Sequence, residues 1–235
     1  MEDDYPSSQY IEDLPDPTRV GKNEFKKSKD TRTRILEAAI ECLATIGYHS
    51  TSTTTVAKYA GLTRAAMLYH FPNRLALIEA VVNYVTRRRV EIQEEFQRDI
   101  PRDKHFPERS LESHWEQLHT REFFAFSELA MASRTDPELE PIFRVAMESF
   151  DRSRRTMAER LAHEEKRLSP GFNLRRDITR FALEGLVQQD GITFDKEKRT
   201  AELMALLKLL WDEKASDELI TLAQKKAATE LKRSK

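Results

Sequence analysis

"AGLTRAAMLYHFPNR", residues 60–74, decides the fold of this chain. Gly61 supplies the left-handed residue that ends one helix, and Thr63 stands where it can cap the next. The helix opened by Thr63 runs about two turns to His70. Phe71-Pro72 then breaks it, because a proline pushes the residue before it out of helical backbone. Asn73 caps a further helix. Two helix ends facing each other across a three-residue turn make a helix-turn-helix unit. In such a unit the second helix lies in the DNA major groove with its N-terminal residues at base edges, while the first crosses the backbone. The groove accepts a helix whose leading face is not bulky, and Thr63-Arg64-Ala65-Ala66-Met67 sets small residues around one long donor. Arginine can bond guanine O6 and N7 as a bidentate fork, which makes Arg64 the first candidate for reading a base.

The flanks agree with this reading. "DTRTRILEAAIECLATIGY" places apolar residues at 35, 36, 39, 43 and 46, the rhythm of an amphipathic helix, with Gly47 as its stop. "STSTTTVAKYAG" offers serine and threonine caps, Thr53 among them, for a short helix carrying Val56, Ala57 and Ala60. Val56, Met67 and Phe71 read as core. The helix from Asn73 covers "RLALIEAVVNYVTRRRVEIQEEFQRDI" and ends before Pro101. Residues 1–24 contain Pro6, Pro15 and Pro17, many acids and no periodicity, the signature of a disordered arm.

Charge is distributed unevenly. The 235-residue chain has a net charge of −1, yet residues 1–20 carry −5, residues 21–89 carry +7 and the remainder −3. The basic block contains the opening stretch, as a polyanion-binding module requires. Whether the acidic arm competes with DNA for that block is left open by the sequence.

Beyond residue 105 the chain reads as longer helices. "ERSLESHWEQLHTREFFAFSELAMASRT" is expected to run unbroken to Asp136-Pro137, its half from Phe123 to Ala132 apolar nearly all round and so central. The next helix keeps apolar positions 142, 143, 146, 150, 157 and 161 and stops at Ser169-Pro170-Gly171. "LRRDITRFALEGLVQQD" puts 174, 178, 181, 182, 185, 186 and 189 on one face, and "KRTAELMALLKLLWDEK" puts 203, 206, 207, 210 and 211 together. A last helix starts near Asp217. With no strand pattern of period two and no repeat, the fold class is all-α, a small N-terminal unit joined to a larger helical body.

Several classes of function are excluded or disfavoured. No apolar run approaches a membrane span, and the N-terminus lacks an apolar signal core, so a cytoplasmic protein is expected. Cys42, the single cysteine, allows no internal disulfide and reads as a small core residue. Glu116-Gln117-Leu118-His119 is one Glu-x-x-His, whereas a di-iron bundle needs two with two further glutamates. His114 and His119, five apart, do not share a helix face. There is no phosphate-binding loop, dinucleotide turn or nucleophile elbow. No metal, no cofactor and no catalytic residue are expected.

From Ile35 to Tyr84 the run "IGYHSTSTTTVAKYAGLTRAAMLYHFPNRLALIEAVV", with "ILEAA" ahead of it, resembles the N-terminal domain of TetR-family transcriptional regulators. The resemblance rests on caps, turn and the "YHF" ending in order. It implies that Thr53 and Thr54 meet phosphates and nearby bases, that Thr63, Arg64 and Ala65 read bases, and that Tyr69, His70 and Arg74 hold the phosphate backbone. Lys22, Lys26, Lys27 and Lys29 match the basic arm of some members. Leu68 departs from the family's frequent Tyr and is expected to pack. Without the resemblance, Thr53 and Thr63 are simply caps, and Tyr69 and His70 packing.

The resemblance further implies a body that binds a small effector and a four-helix dimer interface. Helices at about 173–190 and 197–213, with Ala182 and Gly185 permitting close approach, suit that interface. Phe124, Phe126, Met131, Phe143, Met147 and Phe150 are candidates to line an adaptable effector cavity, with His114, Trp115, His119 and Glu128 for its polar contacts. Aromatics at helical spacing also make a plain core. The domains expected are an acidic arm (1–24), a DNA-binding domain (25–80) and an effector and dimerisation domain (81–235). The function expected is a homodimeric repressor released from a pseudo-palindromic operator by a small molecule. The alternatives are an effector-independent architectural DNA-binding protein and a helical-bundle enzyme.

Overall fold

Helical periodicity and punctuation produce an all-α chain: among the described residues there are ten helices and no strand. The structure is a computed structural model that describes residues 15–18, 26–103, 105–164, 171–189, 191–192 and 194–233. Of the expected arm at 1–24 only 15–18 fall within that set. Lys22, Ser169 and Pro170 also lie outside the described residues.

The helix-turn-helix unit forms as its punctuation dictates. α1 (Lys26–Ser50) buries Ile35, Leu36, Ala39, Ile40 and Leu43 and breaks at Gly47, whose φ of 77° and ψ of 173° interrupt the helix. A left-handed φ there favours glycine, since a Cβ would crowd the following carbonyl. α2 (Thr53–Tyr59) is capped by Ser52, whose hydroxyl accepts from Thr55 N at 3.1 Å; Thr53, expected as the cap, is the first helical residue instead. Gly61 takes φ 62° in the turn. Thr63 Oγ1 accepts from Ala66 N at 3.1 Å to open α3 (Arg64–His70), and Asn73 Oδ1 accepts from Ala76 N at 2.8 Å to open α4 (Arg74–Arg98). Val56, Met67, Phe71 and Cys42 are buried together in the core. Burial pushes the Cys42 thiol up to about 11, as an inert core cysteine requires.

The expected long helix after residue 105 is two: α5 (Phe106–Gln117) and α6 (Arg121–Ser133), separated where Thr120 caps α6 through Phe123 N. α7 (Leu139–Glu164) follows, its first turn held by Asp136 Oδ1, which accepts from Glu138 N and Leu139 N at 3.0 Å each. α8 (Phe172–Gln188), α9 (Lys196–Trp211) and α10 (Glu213–Arg233) complete the chain.

These helices form two compact units. The first comprises residues up to Glu95 with His119–Met157, and in it α6 packs along α1; the second comprises Phe96–Leu118 with the chain from Ala158 onward, where α5, α8 and α10 each pack on α9. In the second unit α8 buries Phe172, Arg175, Thr179, Arg180, Leu183 and Val187, not the face expected from its apolar spacing. Ile178 and Phe181 of that expected face are exposed, and on α9 only Leu207 is buried while Leu206 and Leu209 are exposed.

Candidate nucleic-acid interface

The leading turn of α3 presents the surface the sequence anticipated. Arg64 and Ala65 are exposed at its start, behind the Thr63 cap. Tyr69 is 78% exposed and stands edge-to-face with His70, ring centroids 5.1 Å apart. On α2, Thr54 is exposed and Thr53 partly so. Leu68 is half-buried. The remaining basic side chains of this unit that face solvent are Lys26, Lys27, Lys29, Arg34 and Lys58. The arrangement offers one bidentate donor on a narrow, small-residue helix end, bordered by cations and by phenol and imidazole groups.

Arg74 does something more than the resemblance implies. Its Nε donates to Thr51 O at 3.0 Å, Nη2 to Tyr48 O at 2.8 Å and Nη1 to Tyr48 Oη at 3.1 Å, while the guanidinium lies 4.2 Å above the Tyr48 ring. Three of its five donors thus close the joint between α1 and α2. Tyr48 carries the connection onward. Its hydroxyl donates to Asp136 Oδ2 at 2.7 Å and its backbone N–H to Glu128 Oε2 at 3.1 Å. At the other end of α6, Arg121 pairs with Glu37, with Glu41 at 3.6 Å and with Glu122 at 3.3 Å, and Tyr84 Oη donates to Glu37 at 2.5 Å. No local sequence pattern signals these contacts, whose partners lie up to 88 residues apart.

The expected effector residues fall in both compact units. Phe124, Glu128 and Met131 lie on the exposed face of α6, so that helix is not buried all round; Phe143 and Phe150 are buried and Met147 is half-buried. His119 is exposed, and His114 and Trp115 belong to α5 in the second unit. Phe126 stacks on Phe143 and Phe150 at 5.1 and 5.2 Å, and the Arg89 guanidinium sits 4.3 Å from Phe126, 4.5 Å from Phe150 and 5.3 Å from Phe123. Arg89 was not singled out by the sequence, where it is one of three consecutive arginines.

Residues 35–81 match the family described as "Bacterial regulatory proteins, tetR family". That segment is thus a TetR-type DNA-binding domain. HTH-type transcriptional regulator YvkB of Bacillus subtilis (strain 168) is 32% identical over 75 residues, 32% of this chain and 40% of YvkB. HTH-type transcriptional regulator AcrR of Shigella flexneri is 26% identical over 77% of this chain and 89% of AcrR. Among solved structures, Salmonella enterica GusR superposes with a TM-score of 0.59 at 18% identity, covering 82% of this chain and 98% of GusR. FadR from Bacillus subtilis, solved with stearoyl-CoA, gives 0.54 at 17% identity, covering 74% of this chain and 96% of FadR. The likeness of fold therefore extends past the DNA-binding domain into the helical body. The family and these relatives are transcriptional regulators, not enzymes. Among the described residues no helix is long and apolar enough to cross a membrane, and no group of three His, Cys, Asp or Glu residues is gathered for a metal ion.

Proposed function

We propose that the protein is a homodimeric, sequence-specific repressor of transcription, acting in the cytoplasm and released from a pseudo-palindromic operator by a small-molecule effector. The observation that carries the DNA-binding half is the exposed start of α3, with Arg64 and Ala65 behind the Thr63 cap and no bulky side chain ahead of them. Arg64 is the base reader, Thr63 and Ala65 border it, and Thr53, Thr54, Tyr69, His70 and the remaining donors of Arg74 bind phosphates. Residues 25–80 serve DNA, and residues 81–235 serve effector and partner.

Dimerisation is supported by apolar side chains that α8 and α9 leave outside their own unit. Phe181 is 60% exposed and Leu206 61%, and a Cβ built on Gly185 would meet nothing within 4 Å, which leaves room for a partner helix. The effector role is supported by the FadR structure holding stearoyl-CoA within a similar fold, and by the aromatic group around Phe126. An effector shifts DNA binding only by its differential affinity for two states of the body.

The test is selection of bound sequences from a random duplex pool, on the intact chain and on Arg64→Ala at fixed salt. A pseudo-palindrome from the intact chain that loses one preferred base in the variant, with a cost of about 1–3 kcal/mol, supports the reading. Absence of any enriched sequence overturns it.

A further inference from the structure

We propose that Asp136, in the turn between α6 and α7, is a positioning residue for operator binding: through the Tyr48 phenol and Arg74 it fixes where α2 and α3 sit on α1. This rests on the DNA-binding reading above and adds to it a residue remote from the DNA-reading helix. The need for such a residue arises at Gly47. Its φ of 77° and ψ of 173° break α1, so helical dihedrals do not carry the direction of α1 through to the Ser52 cap of α2. Side chains specify that direction instead, and they form one chain of bonds. Arg74, which opens α4, donates from Nε to Thr51 O at 3.0 Å and from Nη2 to Tyr48 O at 2.8 Å, gripping the intervening segment at both ends. Within the segment Thr51 N donates to Tyr48 O at 3.2 Å and Thr51 Oγ1 to Gly47 O at 2.8 Å. Tyr48 in turn holds Arg74: the guanidinium lies 4.2 Å above the ring, and Nη1 donates to the phenol oxygen at 3.1 Å. The single proton of that phenol goes to Asp136 Oδ2 at 2.7 Å. A phenol that donates to a carboxylate is a better acceptor, so the two bonds reinforce each other. Asp136 is itself anchored, since Oδ1 accepts from Glu138 N and Leu139 N at 3.0 Å each. Glu128 Oε2 adds a second hold on the same residue, accepting from Tyr48 N at 3.1 Å.

The consequence for DNA is one of populations. α3 follows α2 across the turn at Gly61 and packs on it, so the placement of one sets the placement of the other. A pair of helices spread over several orientations presents the competent one for only a fraction of the time, and apparent affinity falls by that fraction. Operator binding needs Arg64 at a base edge and the exposed hydroxyl of Thr54 at a defined phosphate. Random duplex is bound through charge, which tolerates misplacement. Loss of the bond between Tyr48 and Asp136 therefore costs affinity for operator and spares affinity for random duplex. That signature separates placement from two other roles. A lost phosphate contact weakens all sequences about equally, and a change in stability alone weakens neither duplex at a temperature where the chain is folded.

The experiment titrates the full native chain, Tyr48→Phe, Asp136→Asn and the double variant against the selected operator and a random duplex at one salt concentration. Circular dichroism first establishes that each is folded at the temperature used. Tyr48→Phe keeps the ring beneath Arg74 and removes only the hydroxyl. Asp136→Asn keeps an oxygen for the amides of Glu138 and Leu139 but sets an amide donor against the phenol proton, so it makes the same comparison if Tyr48→Phe fails to fold. Tyr48→Phe is expected to bind operator about fivefold weaker, the worth of one hydrogen bond, with random duplex within about twofold of the native chain. Asp136→Asn should show a smaller loss of the same kind, and the double variant should bind no weaker than Tyr48→Phe alone, as two changes to one bond require. Unchanged operator affinity, equal losses on both duplexes, or additive losses in the double variant overturn the proposal while leaving the DNA-binding reading intact. A native chain that selects no operator removes that reading itself, and the proposal with it.

Discussion

The two compact units handle polar and apolar groups in opposite ways. In the first, α6 is fastened to α1 at both ends by directional polar contacts: Arg121 to Glu37 and Glu41 at one end, and Glu128 and Asp136 to Tyr48 at the other. Between those ends Phe123, Ala125, Phe126 and Leu129 are buried, with Phe124 and Met131 on the outer face. In the second, the largest fully buried side chain among the described residues is an arginine, Arg175, 1% exposed at the joint of α9 and α10, while Ile178, Phe181, Leu206 and Leu209 face outward. Directional contacts at defined distances restrict a joint to few geometries, which suits passing a shift from body to DNA-binding helices. Exposed apolar surface is non-directional, which suits holding a partner.

If that contrast is right, the largest effect comes from charging the apolar surface. Phe181→Glu with Leu206→Glu should turn a dimer into a monomer in sedimentation equilibrium and weaken operator binding on the order of a hundredfold, because two linked half-site contacts become one. A dimer that persists would place the interface elsewhere. Next is Arg175, whose Nε donates to Leu210 O at 2.9 Å and whose Nη2 donates to Ser216 Oγ at 3.0 Å and pairs with Asp217. Arg175→Met should lower unfolding stability by about 2 kcal/mol in denaturant titration, since it removes the guanidinium's bonds to Leu210 O, Ser216 Oγ and Asp217 and leaves the joint held by the Ser216 hydroxyl, which donates to Leu210 O and Asp212 O. Arg175→Lys should not restore it, a single ammonium being unable to span those acceptors. Smaller again is Gly47→Ala, which forces a Cβ into a left-handed residue with Glu128 Oε2 only 3.1 Å away. A cost of about 1–2 kcal/mol is expected, with weakened coupling between effector and operator; an unchanged denaturation midpoint would mean that α1 does not need its break.

How much of this was legible follows from how local each signal is. Gly61, Thr63, Phe71-Pro72 and Asn73 act within four residues of themselves, and each does in the structure what its chemistry dictates. The break at Thr120 was missed because no glycine or proline marks it, only a threonine within an apolar-periodic run. On α8 the sequence assigns the apolar stripe to a dimer interface and says nothing of the opposite side; the buried side runs through Arg175, Thr179 and Arg180, which a count of apolar residues passes over. Arg74 illustrates the limit most clearly. Its family position implies a phosphate, yet three of its donors close the joint of α1 and α2, and the sequence has no period that links it to Tyr48 and Asp136.

The joint around Asp136 also supplies the smallest effect and the sharpest test of its polar character. The Tyr48 hydroxyl, followed by the amides of Leu139 and Glu138, holds the Asp136 carboxyl below the usual carboxylate range. A group whose pKa is depressed on folding contributes stability above its unfolded value, near 4, and loses that contribution as pH falls through the folded value. Wild type should therefore exceed Asp136→Asn in stability at neutral pH by a fraction of a kcal/mol, because the side chain is close to solvent. The gap should close on the acid side of about pH 4. Tyr48→Phe removes the leading cause of the depression and should move the acid limb in the same direction, with the Asp136 carboxyl titrating nearer its ordinary range by NMR. A gap that stays constant through the acid range would mean that Asp136 holds Tyr48 as a neutral acceptor, and the polar fastening of α6 to α1 would then rest on Glu128 and Arg121.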